Sequence, residues 1–188
     1  ESEYVLYVDR PPVPPTAYPQ APNFTYRTVS GRLPVVGMPW REQITLPVAI
    51  GRDQLDVFHA PCLTAPLWGT CPLVVTVHDT IWRFPDRYRQ GATSLRHRML
   101  DAYSQWVGQA AVGRATAIIT GSHAAAADIR AHLAVDPTSI TVTHEAANAV
   151  FRPTSDPAVL AAVRRQHDLP PGYLLALGSA DPRKNLIR

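Results

Sequence analysis

The sequence predicts an α/β protein built on a parallel sheet. Three observations carry this. Short apolar runs alternate along the chain with longer segments of helical period. One run, Leu73–Val77, is apolar or β-branched throughout, as in a strand covered on both faces. Another, Ala117–Thr120, runs directly into a helix start at Ser122.

The elements follow in order. Tyr4–Val8 reads as a strand, and Pro11–Pro22 as a proline-rich loop. Phe24–Val29 alternates as a second strand. Trp40–Ile50 has helical character, with Pro47 as a defect inside it, because proline lacks an amide and crowds the preceding turn. Asp56–His59 is a short strand stopped by Ala60-Pro61. Leu73–Val77 follows, then Ile81–Gly91, a loop rich in aromatics and arginine.

Ser94–Arg114 is the clearest helix. Met99, Leu100, Tyr103, Trp106, Val107, Ala110 and Ala111 recur at spacings of three and four. Ala117–Thr120 is a strand, Ser122 opens a helix to about Leu133, and Ser139–Val142 is a further strand. A linker is expected at 148–153, since Pro153 disfavours helix at Arg152. Asp156–His167 resumes as a helix with Pro157 in its first turn. Pro170-Pro171-Gly172 ends it, and Tyr173–Leu177 begins a new sheet. The expected domains are therefore 1–150 and 151–188, divided near Phe151.

Composition narrows the class. The chain has 188 residues, 46% hydrophobic and 18% charged, which suits a packed globule rather than a disordered chain. A net charge of +3 is too weak to argue for nucleic acid. No apolar stretch reaches the roughly 18 residues that span a bilayer. The first residue is Glu1, not methionine, and Arg188 follows a strand closely, so we expect a fragment open at both ends. Cys62 and Cys71 do not make a disulfide scaffold, and free thiols are favoured over a single bridge. The spacing of His59, Cys62, Cys71 and His78 matches no closed zinc motif. High arginine, alanine and proline content suggests a GC-rich bacterial source.

Several residues stand where chemistry occurs. Val74–Asp79 puts His78 and Asp79 at the carboxyl end of a buried strand, outside which ligands bind in open α/β sheets. His78 can act as acid, base or donor near neutral pH; equally, His78 and Asp79 can cap the strand end and the loop. Ile118-Ile119-Thr120-Gly121-Ser122-His123 lacks the second glycine of a nucleophile elbow. The favoured role for Ser122 is helix N-cap, leaving backbone N–H groups facing the crevice.

Seventeen of the eighteen basic residues are arginine, and the exception is Lys184 in Gly178–Asn185. Arg183 and Lys184 follow the apolar run 173–177, where a guanidinium beside an ammonium can clamp a diphosphate. The alternative is a solvated turn lysine. There is neither a P-loop nor a Gly-x-Gly-x-x-Gly fingerprint. Arg87, Arg89, Arg96 and Arg98 surround Tyr88 as a basic cluster, either a solvated face or a surface for an acceptor or anionic lipid.

Four segments in sequence give a resemblance. They are Asp56-Val57-Phe58-His59-Ala60-Pro61, Val75-Thr76-Val77-His78-Asp79, Ile118–Ser122 with Asp128-Ile129, and Gly178 with Pro182-Arg183-Lys184-Asn185-Leu186. From about Asp56 to Arg188 the chain resembles the family 4 glycosyltransferases of the two-Rossmann-domain (GT-B) type. The resemblance implies a Rossmann-like acceptor-side domain lacking its first strand, then the first helix and strand of a nucleotide-sugar-binding domain. It implies transfer of a hexosyl group from a nucleoside-diphosphate sugar to a hydroxyl on a glycan or lipid-linked acceptor. Retention of configuration, no obligatory metal and no cofactor are implied with it.

In such an enzyme Arg183, Lys184 and Gly178 would bind the donor diphosphate. His78 would contact the transferred sugar beside Asp79, and Ser122 and His59 would line the cleft. A cytoplasmic protein in peripheral contact with the inner face of the membrane is expected, with no nucleic-acid partner. The glycine-rich loop usual before the first strand would precede Glu1, and the Glu-x7-Glu segment would follow Arg188, so the fragment is expected to be inactive alone. Where many relatives carry a Pro-x-Gly or Asn-Gly turn, this chain has His144-Glu145-Ala146-Ala147-Asn148. A non-catalytic sugar-nucleotide or polyanion binding module is the main alternative, and an α/β hydrolase using Ser122 with His78 or Asp79 a third.

Overall fold

The structure, a computed structural model, describes residues 2–11, 19–31, 37–84 and 94–176. The chain divides into two units, Glu1–His144 and Glu145–Arg188.

The first unit holds two parallel sheets. Strand β1 (Tyr4–Val8) pairs with β2 (Phe24–Thr28), with Tyr4 opposite Phe24 and Val8 opposite Thr28. The larger sheet contains β3 (Phe58–Ala60), β4 (Leu73–Thr76), β5 (Ala117–Thr120) and β6 (Ile140–Val142), in that order across the sheet. Every pairing is parallel, so all four carboxyl ends lie on one edge. Parallel neighbours need long crossovers. Helix α3 (Leu95–Arg114) lies in the crossover from β4 to β5, and α4 (His123–His132) joins β5 to β6. As the sequence predicts, Leu73–Val77 and Ala117–Thr120 form interior neighbours of one sheet.

The core explains the strand sequences. Leu73, Val75, Val77 and Ile118 are fully buried among Ala111 and Val112 of α3 and Ala126 and Ile129 of α4. Serine caps open both helices, that of Ser122 as read from sequence. Ser94 Oγ accepts from the His97 amide at the start of α3, and Ser122 Oγ accepts from the Ala125 amide at 3.1 Å at the start of α4.

Two readings of the helices need correction. The helical run near Pro47 is longer and composite. A short α1 (Gly37–Trp40) passes into a π-helical segment, Arg41–Thr45, and then into α2 (Leu46–Asp53). The wide turn lies just before Pro47, where the pyrrolidine ring would meet the preceding turn of a regular α-helix. In α3, Val107 and Ala111 are buried, but Met99 and Trp106 face outward. A spacing of three and four identifies a helix without saying which apolar side turns inward.

The small sheet is fixed to the end of α2. Tyr7 donates its phenol hydrogen to Asp53 Oδ2 at 2.6 Å, and Arg27 Nε lies 2.7 Å from the same oxygen. The rings of Tyr7 and Phe58 are 6.3 Å apart. Among the described residues β1 pairs with β2 alone and β3 with β4 alone. A groove of about 1650 Å³ is lined by both strands, among other segments, including Tyr7, Phe58 and His59.

In the second unit, α5 (Pro157–Gln166) begins as expected, with Asp156 Oδ1 accepting from the Ala158 amide at 2.8 Å and Pro157 in the first turn. Residues 173–176, read from sequence as the start of a strand, have no strand pairing among the described residues. Leu174 and Leu175 are exposed there, and a strand exists only when a neighbour takes its hydrogen bonds. Residue 177 lies outside the described residues.

Candidate active site

The carboxyl edge of the large sheet gathers the chemistry. Pairing continues one residue past two of the strands. The Val77 amide donates to Ile119 O at 2.9 Å, and the Thr143 amide to Thr120 O at 2.8 Å. These bonds fix the backbone directly before His78 and His144. Three adjacent strands thus deliver three imidazoles to one edge, His78 after β4, His123 after β5 and His144 after β6.

His78 is exposed at this edge. Asp79 has a local task. Its Oδ1 accepts from the Ile81 amide at 2.9 Å, and its carbonyl accepts from Trp82 Nε1 at 2.9 Å. The aspartate thereby shapes the 3-10 turn Ile81–Arg83 that leads the chain away from His78.

His59 lies within β3, opposite Val74 and short of the edge that His78 occupies. Its Nε2 is 2.8 Å from Oγ1 of buried Thr76. Burial lowers its pKa below the usual histidine value, because desolvation penalises the charged ring. His59 is therefore tied to the sheet and is not grouped with His78.

Ser122 sits at the end of β5, beside the strand that carries His78. Its oxygen is the N-cap acceptor for α4, the role favoured from sequence. Next to it, His144 Nδ1 lies 3.2 Å from the Gly121 carbonyl. A carbonyl only accepts, so this contact selects the tautomer protonated at Nδ1 and leaves Nε2 as the acceptor. The His123 and His144 rings meet edge to face, with centroids 5.4 Å apart. Sequence reasoning missed this pair. The signal was present, since His144 follows an apolar strand at nearly the spacing of His78, but proximity depended on β5 and β6 being neighbours.

Chemically, such an edge can donate and accept hydrogen bonds with polyhydroxylated ligands. Cys62 and Cys71 are free thiols. No group of three or more His, Cys, Asp or Glu able to hold a metal ion occurs among the described residues. Gly178, Arg183 and Lys184 lie outside the described residues, as do Arg87, Tyr88 and Arg89. Arg96 and Arg98 are exposed on α3.

A family model described as Glycosyltransferase Family 4 matches residues 3–149. The match begins near β1, well before the Asp56 at which the sequence resemblance starts, and stops short of Gly178–Asn185. No curated protein matches the chain. With parallel sheets flanked by helices, a histidine-bearing carboxyl edge, and a family match over most of its length, the chain belongs to Glycosyltransferase Family 4.

Proposed function

We propose that this chain carries the acceptor-side domain of a sugar transferase, residues 1–150, and from 151 onward the opening of its donor-binding domain. The donor is a nucleoside-diphosphate hexose and the acceptor a hydroxyl of a glycan or lipid-linked sugar. Configuration is retained, and the leaving diphosphate is stabilised by fixed protein cations without a metal. The protein works on the cytoplasmic side, at the inner face of the membrane. The supporting observation is the row of histidines at the carboxyl edge of a parallel sheet in a Family 4 chain.

In this reading His78 contacts the transferred sugar, and Asp79 holds the loop that presents it. Ser122 and His59 border the cleft and its floor. Arg183 and Lys184, with Gly178 allowing close approach, hold the diphosphate as negative charge develops on it.

Two substitutions in the intact protein test the assignment. His78→Ala lowers kcat more than it raises KM for the donor, because the contact is with the reacting sugar. Lys184→Ala slows transfer by roughly 10²–10³-fold and weakens nucleoside-diphosphate binding, with the melting curve unchanged. Transfer at wild-type rates in both variants would sink the proposal.

A further inference from the structure

We propose that His144 is a binding residue for the sugar acceptor, its Nε2 accepting a hydrogen bond from an acceptor hydroxyl. His144 takes this role within the sugar-transfer reading, on which the inference rests, and adds a second sugar subsite to the one assigned to His78.

Although exposed, His144 is held by three contacts. The backbone before it is fixed by the bond from the Thr143 amide to Thr120 O, at 2.8 Å. Its Nδ1 lies 3.2 Å from the Gly121 carbonyl. Its ring meets that of His123 edge to face, with centroids 5.4 Å apart. His123 is placed in turn by the first turn of α4, which the Ser122 cap fixes. An exposed side chain gives up rotamer entropy to be held in this way. The same restraint lowers the ordering cost when a ligand binds.

Chemistry selects the partner. With the Nδ1 hydrogen given to the carbonyl, Nε2 carries a lone pair and no hydrogen. Such an atom accepts from a hydroxyl. It has nothing to donate to an ionised phosphate oxygen, which itself only accepts. His144 therefore favours a sugar over the diphosphate.

Distance separates the two histidines. Strand β5 lies between β4 and β6. Two strand intervals put the ends that carry His78 and His144 about 9–10 Å apart across the sheet. One hexose ring does not cover that span. A transferred sugar at His78 and an acceptor sugar at His144 do. His123 acts through His144 and is a positioning residue.

Imidazole nitrogen NMR spectra of the 188-residue chain, with isotope-labelled histidine, give the test. The His144 signals, identified by their loss in His144→Phe, should show the hydrogen on Nδ1. Methyl α-mannopyranoside, methyl α-glucopyranoside and methyl β-galactopyranoside are titrated separately. At least one should shift the Nε2 resonance of His144, and inorganic pyrophosphate should not. His144→Phe keeps a ring against His123 and removes the acceptor, so affinity for that glycoside should fall about tenfold. His144→Gln offers an amide oxygen in its place and should hold affinity within about threefold. His123→Ala should leave the melting curve unchanged while His144 shows both tautomers. A shift under pyrophosphate, a hydrogen on Nε2 of the free ring, unchanged affinity in His144→Phe, or no response to any glycoside would overturn the proposal. A silent His144, with transfer by the intact protein lost in His78→Ala and Lys184→Ala, faults this inference alone. A responsive His144, with both of those variants transferring at wild-type rates, faults the sugar-transfer reading and leaves a sugar site.

Discussion

The indole N–H of Trp68 donates to the backbone carbonyl of Gln43 at 2.5 Å. In a regular α-helix that carbonyl would accept from residue 47, and Pro47 has no amide hydrogen to give. The side chain of Gln43 reinforces the docking, bonding the Ala65 carbonyl at 3.1 Å and the Leu67 amide at 3.0 Å. A loop far along the chain thus supplies the partner that proline withholds. Trp68→Phe keeps the ring and removes the donor. It should cost about 1 kcal/mol in urea unfolding, and an unchanged midpoint would show that water replaces the indole.

Asp53 is an acid in the last turn of α2, where the helix dipole disfavours negative charge. Tyr7 and Arg27 account for its presence. Burial, together with the bond to Asp53, raises the Tyr7 pKa well above the usual phenol value. Asp53→Ala removes a charged acceptor from both partners and releases the small sheet from α2. The expected loss is about 1.5–3 kcal/mol. Faster amide exchange in β1 and β2, with β4 and β5 unaffected, would identify the small sheet as the part released.

Thr120 is fully buried at the end of β5, and its Oγ1 has no hydrogen-bond partner among the described residues. Valine has the same branched shape without the hydroxyl and suits a strand equally well. Thr120→Val should stabilise the chain by about 1 kcal/mol, since an unsatisfied buried polar group carries its full desolvation cost. A lower melting temperature for the variant would mean that the hydroxyl has a partner.

His59 makes stability depend on pH. Its folded pKa lies below the unfolded value of 6.5, so the folded state binds fewer protons. Its contribution is complete above the unfolded pKa and is lost as pH falls through the lowered folded value. Melting temperature should therefore drop on acidification below about pH 6.5, and His59→Gln should flatten the slope in that window. The same slope in the variant would assign the effect to another group.

What the sequence discloses depends on how local the cause is. Strands β4 and β5 are legible because a run buried on both faces has no charged positions, and the Ser122 cap because it acts within three residues. The π-helical segment was not legible. Pro47 announces a defect, but its form depends on Trp68, twenty-one residues away. Met99 and Trp106 fit the helical period of α3 and still face outward, because period does not encode direction. At the site, His78 was visible from the strand it ends, whereas the contact of His123 with His144 requires knowing that β5 and β6 are neighbours.

The edge of β1 that is unpaired among the described residues bears on how the chain behaves at high concentration. Tyr4–Val8 contains no charge and no proline, and the single lysine of the sequence is Lys184. Charged side chains, lysine above all, and proline are the usual guards that stop an edge strand from templating another chain. Strand β1 has neither within its span. An unguarded edge of this kind is a place where concentrated chains can pair with one another. A variant with a lysine in place of exposed Tyr4 is the simplest way to keep concentrated samples dispersed.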